Sequence, residues 1–508
     1  MIERTNRIPA LFTASALGFF ALLVGCRVGP PYHAPAPPSV TAPNYKESTV
    51  NFQDTGGWKV ASPQDAMIKG NWWEVFGDPE LNALEDQLNI NNQNLKEYFQ
   101  NYMAARATIA EARSQYWPTI TANPSWNRSK SSGTLGSTST QANPGKQSTL
   151  WNAPIEASWT PDLWGKIRNE VHEAQYASQV SAADLENEKL TEQASLAEYY
   201  FEIRGQDMLQ QILNQTVAAD QKSLAYNQAQ YDTGIGDYIS VIEAKTTLDA
   251  AQAAATNVGL LRGQYEHAIA MLTGKVATDF SIPVKPMVFV PPSIPTGMPA
   301  QLVERRPDIA AAERTLAEEN AVIGIGYGAF FPQVTISADA GFSSSALTSL
   351  FTWPSRVWSV GPSVAETIFD GWLYRAELHQ YVAQYNADLA TYRQSVLTAF
   401  QQVEDSMVAT RTYSQQILRQ QDAVKDSQDY LNLEMVRYNT GVDPYVDVML
   451  AQTTLLSNQE TLNTLEVEEM TSTVELVQSL GGGWDRSQLP TPAQVGAKTT
   501  KADYPLQQ

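Results

Sequence analysis

A long phrase that occurs twice constrains this chain more than any other feature. Residues 231–248 read YDTGIGDYISVIEAKTTL, and residues 438–455 read YNTGVDPYVDVMLAQTTL. Shorter segments repeat at a similar distance: 116–118 with 330–332, 163–165 with 369–371, and 271–274 with 479–482. Two copies of one supersecondary unit explain these matches, because unrelated domains would not share the same order and spacing. We therefore expect a tandem pair of units.

Each copy has the same predicted order of elements. Good helix formers run from about 78 to 116 and from 299 to 330, and a proline follows each run. A β-hairpin, a long proline-free helix, a turn at a Thr-Gly pair and a returning helix come next. The predicted segments are repeat 1 at 72–275, with hairpin 118–160, long helix 165–232 and tip turn 233–237; a linker at 276–298; repeat 2 at 299–482, with hairpin 332–366, long helix 371–439 and tip turn 440–444; and a disordered tail at 483–508.

Both hairpins alternate apolar and polar residues. In the second copy Val334, Ile336 and Ala338 share one face, and Thr335 shares the other face with its polar neighbours. This period of two predicts strands, and strands with one apolar face fit the wall of a transmembrane β-barrel. An ordinary half-buried sheet gives the same alternation, and the prolines at 124 and 154 count against a regular ladder. Aromatic side chains suited to a membrane interface lie in or beside the strands: Trp117, Trp126, Trp151, Trp159, Trp353 and Trp358.

Four predicted strands per chain are too few to close a membrane barrel. The minimum is about eight strands, and an open edge in lipid leaves backbone groups unpaired at several kcal/mol each. We therefore expect oligomers, in which two copies would give eight strands and three would give twelve, with room for a pore. The fold class is mainly α with a membrane β-barrel portion.

The predicted long helices also need an explanation, because each would span about 100 Å. Their sequences are rich in alanine and only weakly amphipathic, as in 175–183. Such helices fit the wall of a hollow tube, where they pack laterally against their neighbours. An extended coiled-coil scaffold is the alternative, although heptads of large apolar residues are missing.

Composition excludes several classes of function. The formal net charge of −20 argues against nucleic acid, because a phosphate backbone requires a basic footprint. The four histidines are dispersed and the single cysteine lies near the start, so neither a His/Cys metal cluster nor a disulfide framework can be built. The sequence also lacks an evident pairing of nucleophile and base. We predict no enzyme activity, no cofactor and no metal site.

The N-terminus predicts a lipid anchor. An apolar run ends in Leu23-Val24-Gly25-Cys26, the pattern of a bacterial signal peptide with a lipobox. Residues 1–25 would be removed, and Cys26 would carry the acyl chains that hold the protein to a bilayer. A chance cysteine after an ordinary leader is the alternative. Arg27 stands where an inner-membrane retention signal often has aspartate, so we expect the outer membrane, with 26–71 as an extended, acylated segment.

These motifs resemble a known family. The lipobox, the two Thr-Gly tips and the run Glu304-Arg305-Arg306-Pro307-Asp308-Ile309, continued by Phe330-Phe331-Pro332, are similar to the TolC-type outer-membrane factors, in the lipoprotein branch typified by OprM and NodT. The resemblance covers nearly all of the mature chain. It implies a homotrimer in the outer membrane of a Gram-negative bacterium, with a twelve-stranded β-barrel in outer-membrane lipid and a twelve-helix periplasmic α-barrel below it.

The same resemblance implies a function and partners. The chain would be the exit duct of a tripartite efflux system, joined by a periplasmic adaptor to an inner-membrane pump, usually of the RND class. A type I protein-secretion duct and a lipid-anchored periplasmic scaffold are the alternatives. A scaffold, however, would not need alternating strands with tryptophan belts.

Site residues follow from the resemblance as well. Family members close their periplasmic end with acidic side chains just past the tips; Asp447 matches one such acid, Leu450 replaces another, and Glu243 holds the equivalent place in the first copy. Solvated carboxylates on an outer face are the alternative interpretation. Turn geometry alone would explain the glycines among the candidate adaptor contacts, which are Gly234, Ile235, Gly236, Gly441, Val442 and Asp443.

Overall fold

The computed structural model describes residues 27–38, 45–47, 70–130, 132, 147–292, 294 and 302–497. The predicted signal peptide and the predicted lipidation site at Cys26 lie outside the described residues. None of the helices in the described part of the chain combines the length and the apolar character that a membrane crossing requires.

Three pairs of α-helices match in length between the two halves. Helices α2 (Gln93–Ser114) and α6 (Pro307–Gly328) have 22 residues each, α3 (Lys166–Asp232) and α7 (Leu373–Asn439) have 67, and α4 (Tyr238–Leu272) and α8 (Tyr445–Ser479) have 35. At 1.5 Å per residue, α3 and α7 are each about 100 Å long. Along the described chain the α-helices are α1 (Pro79–Asn91), α2 (Gln93–Ser114), α3 (Lys166–Asp232), α4 (Tyr238–Leu272), α5 (Leu302–Arg305), α6 (Pro307–Gly328), α7 (Leu373–Asn439), α8 (Tyr445–Ser479) and α9 (Pro492–Val495). Short 3-10 helices lie at Trp72–Phe76, Ala277–Asp279, Leu347–Ser349, Trp353–Ser355 and Arg486–Gln488.

The first predicted helix of each copy is interrupted. In repeat 1 the interruption is Asn92, whose Oδ1 accepts the amide of Leu95 at 3.0 Å and whose Nδ2 donates to the carbonyl of Leu272 at 3.0 Å. Asparagine is a favoured N-cap residue, so it ends α1 and begins α2. In repeat 2 the interruption precedes Pro307, which occupies the first turn of α6 as its fixed φ allows.

The strands form one antiparallel sheet with four positions. They are β1 (Thr119–Ala122), β2 (Ser125–Lys130), β3 (Gln147–Trp159), β4 (Gln333–Ser344) and β5 (Arg356–Ala365), in the order β1/β2, β3, β4, β5. The single strand predicted after Pro118 is split into β1 and β2 at Asn123-Pro124, because proline has no N–H for the ladder. Both pieces pair with β3, so together they occupy one edge of the sheet.

Register places most of the apolar side chains of the five strands on one face. Ala340 of β4 lies opposite Ile155 of β3 on one side and opposite Trp358 of β5 on the other. The opposite face is polar, as where Glu156 faces Asp339. Trp126 lies opposite Trp151, with ring centroids 5.6 Å apart. A one-residue slip would move every side chain to the other face, so this shared alternation fixes the register.

The helices pack as a slab with two open edges. Next to the sheet, α3 lies between α2 and α6, and α6 also packs on α7. In the half that lies far from the sheet, α3 packs on α4 and α8, and α8 packs on α7. Among the described elements, α7 therefore forms one edge of the slab, and α2 and α4 form the other. The sheet has the same property, since β5 and β1/β2 each pair on one side only.

A buried charge network binds the middle of α3 to its surroundings. Arg204 is fully buried, and its guanidinium contacts Asp207 at 2.9 Å and Glu80 of α1 at 2.7 Å. It also donates to the carbonyl of Pro283, in the segment that links the repeats, at 2.8 Å. Arg262 of α4 bonds the second carboxylate oxygen of Asp207 at 2.7 Å. The network thus joins three helices and the linker.

The described part of the C-terminal tail is ordered, so the prediction of a disordered tail is wrong for residues 483–497. Val495 of α9 is almost fully buried in a cluster with residues of α2 and α3. Gln179 of α3 donates to the carbonyl of Pro490 at 2.7 Å, and Gln175 donates to that of Pro492 at 3.2 Å. The two residues of each bond are more than 300 positions apart in sequence. Local composition therefore did not reveal these contacts.

Candidate functional site: the distal tips of the helical hairpins

The two tip turns have the same backbone geometry. Gly234 and Gly441 adopt positive φ values of 74° and 73°, which glycine tolerates at the end of a helix. The next amide closes each turn: Ile235 donates to the carbonyl of Gln230 at 2.9 Å, and Val442 donates to that of Arg437 at 3.0 Å. The repeated Thr-Gly pair is therefore a helix-ending motif used twice.

The returning helices begin differently in the two copies. Asp237 caps α4 by accepting the amide of Ser240 at 2.8 Å, and this bond lowers the pKa of its carboxyl. Pro444 stands at the equivalent position before α8, where its fixed φ favours a helix start. The first copy thus begins its returning helix with a side-chain cap, and the second begins it with a proline.

The six predicted adaptor residues all lie in these turns. Ile235 and Val442 are strongly exposed at the ends of the hairpins. Asp443 is different, because Arg437 forms an ion pair with it, Nη2 to Oδ1 at 2.9 Å, which lowers the pKa of the Asp443 carboxyl. Its charge is therefore committed within its own hairpin.

The structure places the predicted gate residues Asp447 and Leu450 on α8 and Glu243 on α4. Asp447 lies in the first turn of α8, where its carboxylate forms a group with Glu434 and Asp443 whose oxygens lie within 4.8 Å of one another. Among the described residues, this group has carboxylate oxygens close enough together to bind a metal ion. Arg437, however, already neutralises part of the negative charge of the group through Asp443. Glu243 is not part of the group, and Leu450 is exposed.

A cross-hairpin contact that the sequence did not predict is centred on Tyr438. Its hydroxyl donates to Gln230 Oε1 at 3.0 Å and to the Oδ1 of the buried Asn227, both on α3. The ring also packs edge-on against Tyr226 of α3 and Tyr445 of α8. Tyr438 therefore ties the end of α7 to the first hairpin. The repeated phrase did not distinguish this tyrosine, because Tyr231 stands at the equivalent position of the first copy.

The same seam between the hairpins contains an unpaired carboxylate. Asp220 of α3 is almost fully buried, and neither of its carboxylate oxygens has a hydrogen-bond partner among the residues that the structure describes. Burial raises the pKa of Asp220 to about 6. The pKa of Tyr445 is raised to about 12, mainly by burial and to a smaller extent by the charge of Asp220. Nearby, Gln452 of α8 donates to Ser223 Oγ at 3.4 Å. The Gln452–Ser223 bond thus joins the two hairpins, whereas the buried charge of Asp220 opposes their packing.

Replacing Asp220 by asparagine is expected to weaken the pH dependence of this packing. The carboxyl titrates near 3.8 in an unfolded segment and near 6 in the packed one, so the packed state takes up its proton first as the pH falls. In the native chain, amide exchange around Asp220, corrected for intrinsic rates, should slow by about tenfold between pH 7 and pH 5. The asparagine variant should lack this change.

Asp249→Asn is the matched control, because Asp249 is exposed on α4. This variant should keep the native pH response of the amides around Asp220. An equal response in the native chain and in Asp220→Asn would show that Asp220 does not govern the packing of the seam.

Comparison with known proteins identifies the family. The family model for outer membrane efflux proteins matches residues 84–275 and 298–482, the two repeats. The chain is 30% identical to the solvent efflux pump outer membrane protein SrpC of Pseudomonas putida, over 93% of this chain and 99% of the relative. It is 28% identical to the outer membrane protein OprJ of Pseudomonas aeruginosa, over 94% and 97% of the two chains.

Solved structures show the same fold. The outer-membrane channel OprN is 26% identical, with a TM-score of 0.80 over 90% of this chain and 100% of that chain. The open state of the MtrE outer membrane channel of Neisseria gonorrhoeae is 25% identical, with a TM-score of 0.77 over 91% and 99% of the two chains. The predicted resemblance is confirmed at the level of the family: the chain belongs to the outer membrane efflux proteins.

Proposed function

We propose that this protein is the outer-membrane exit duct of a tripartite efflux system, with distal tips that open rarely in the protein alone and more often when partners bind. The observation that carries the proposal is the arrangement along the long axis. A sheet with one apolar face lies at one end of two helices that are each about 100 Å long, and two capped hairpin tips lie at the other end. The chain is an efflux protein and not an enzyme.

A homotrimer would complete the wall. Four strand positions with two open edges cannot close in lipid, where each unpaired backbone group costs several kcal/mol. Three copies give twelve strand positions, which is enough for a water-filled barrel. In the helical part, the open edge formed by α7 would meet the open edge formed by α2 and α4 of a neighbour, making a tunnel of twelve helices.

The apolar face of the sheet would contact outer-membrane lipid. Trp117, Trp126, Trp353 and Trp358 are exposed on the chain, as side chains at a membrane interface would be, whereas Trp151 and Trp159 are partly covered. Acyl chains on Cys26 would add a second anchor to the barrel. The protein would then hold its tips deep in the periplasm.

The distal tips would form the gate. Threefold symmetry turns Asp447 and Glu243 into rings of three carboxylates if they face the lumen, and the repulsion within each ring grows as the pore narrows. Leu450, exposed one turn beyond Asp447, would add an apolar ring. A periplasmic adaptor that contacts the exposed tip turns and binds the open form more tightly would shift the equilibrium toward opening. An inner-membrane pump would supply the direction of transport and the choice of substrate.

Purified protein is expected to form ion channels in planar lipid bilayers. Discrete conductance steps would show a continuous aqueous path, whereas a lipid-anchored scaffold would leave the membrane silent. Val360→Arg should reduce insertion strongly, because Val360 lies on the apolar face at the middle of β5 and an arginine there costs about 2–4 kcal/mol. Ser359→Arg, one residue away on the polar face, should insert normally. A silent native protein, or equal insertion of both variants, would contradict the proposed duct.

A further inference from the structure

The passage from hairpin to long helix occurs twice, and in repeat 1 the second half of the same chain covers it. Trp164 stacks on Phe331, with ring centroids 4.9 Å apart. Its indole Nε1 also donates to the carbonyl of Pro332 at 2.8 Å. The contact arises because the chain that leaves β3 runs beside the chain that enters β4. This first junction is therefore closed.

In the described part of the chain, no ring stacks in this way on the second junction, residues 366–373. Ile368 is 97% exposed, Phe369 is 81% exposed and Trp372 is 63% exposed. Large apolar side chains grouped at this level of exposure mark a surface that binds something. They lie where the chain leaves β5 and enters α7.

Backbone geometry singles out the same segment. Among the described residues, Trp372 is the one non-glycine residue with a positive φ, 73°, at the N-terminus of α7. A bulky side chain in this region is strained and persists where its surroundings hold it in place. Its ring lies beside the Arg375 side chain of the same helix, with Cζ 4.6 Å from the ring centroid, and most of the residue is exposed. Asp370 holds this turn by accepting the amide of Trp372 at 2.8 Å, and the turn leaves the Trp372 side chain exposed to a partner.

The tandem repeat indicates which residues would provide the cover. Phe331 belongs to the segment 330–332, whose counterpart in repeat 1 is Tyr116-Trp117-Pro118. Trp117 is thus the counterpart of Phe331, and it is 75% exposed at the start of β1. It lies at the start of the edge strand β1, at the opposite open edge of the sheet from β5, which leads into the second junction.

We propose that Trp117 of one subunit packs against Ile368, Phe369 and Trp372 of the next subunit. The contact closes the second junction between chains as Phe331 closes the first junction within a chain. The two surfaces differ, so the interface is heterologous and generates a ring rather than a symmetric dimer. This inference rests on the proposed oligomeric duct and identifies an aromatic contact between its subunits.

Thiol cross-linking of the full-length protein tests the contact. The native chain has one cysteine, Cys26, so it provides the background. The double variant Trp117→Cys/Phe369→Cys, treated with a short bifunctional maleimide, should give covalent dimers and trimers on a denaturing gel. The matched pair Trp164→Cys/Phe331→Cys should link within one chain and keep the mass of a monomer. Each single variant should match the native background.

Co-expression of the two single variants tests the direction of the contact. Trp117→Cys subunits should link to Phe369→Cys subunits and not to one another. Native mass measurement on the same samples separates two failures. A trimer whose double variant fails to cross-link would overturn the aromatic contact and leave the duct in place, whereas a monomer would overturn both proposals.

Discussion

Replacing Arg204 by methionine is expected to lower the free energy of unfolding by about 3 kcal/mol or more. Removing one partner of a buried ion pair leaves the other charge buried, which costs about 3–5 kcal/mol. Arg204 contacts Asp207, Glu80 and the carbonyl of Pro283, all within 2.9 Å. Arg262 still neutralises part of the Asp207 charge, which places the effect at the lower end of that range.

Thermal unfolding followed by tryptophan fluorescence measures this loss, because Trp72 and Trp73 are buried in the same part of the chain. The double variant Arg204→Met/Asp207→Asn should recover part of the stability, since it removes the buried Asp207 charge that Arg262 neutralises only in part.

Arg419→Met is the matched control. Arg419 pairs with Asp422 at 3.8 Å, but the Arg419 side chain is 89% exposed, so its loss should change stability by no more than about 0.5 kcal/mol. Equal shifts in the melting temperature of Arg204→Met and Arg419→Met would contradict the stabilising role of Arg204 in the buried charge network.

The sequence was sufficient where local chemistry decides the structure. Helix α3 was predicted at 165–232 and occupies Lys166–Asp232, because it contains no proline and ends at a Thr-Gly pair. Alternation with period two likewise located β4 and β5 and assigned their faces. In these segments each residue's own preference agrees with the final fold.

The sequence was insufficient where distant residues decide. Asn92 is a good N-cap by its own chemistry, but the bond from its side-chain amide to the carbonyl of Leu272, 180 residues later, could not be predicted. The tail folds because Gln179 and its neighbours on α3 hold it. A single sequence contains no signal for such pairs. The family resemblance supplied the location of the candidate site at the tips, but the contacts that join the hairpins became visible only in the structure.

Replacing Tyr438 by phenylalanine is expected to raise the open probability of the duct by about tenfold or more. The substitution keeps the ring packing against Tyr226 and Tyr445 and removes the hydroxyl that bonds Gln230 and the buried Asn227. Leaving a buried polar group unpaired costs about 1–3 kcal/mol. In the open state the hairpins separate and water bonds Asn227, so this cost applies to the closed state alone. The equilibrium between closed and open states therefore shifts toward the open state by the same free energy.

Tyr231→Phe is the matched control, since the repeat places Tyr231 at the position equivalent to Tyr438. Tyr231 packs on Tyr238 of its own hairpin, with ring centroids 5.2 Å apart, and the structure shows no hydrogen bond from it to the second hairpin among the described residues. Single-channel recordings without adaptor or pump should therefore show frequent openings for Tyr438→Phe and native behaviour for Tyr231→Phe. If both variants open equally, turn stability rather than the cross-hairpin bond controls the tips. If neither variant opens more often than the native protein, other contacts hold the closed state. The carboxylates around Asp447 are then the first residues to test.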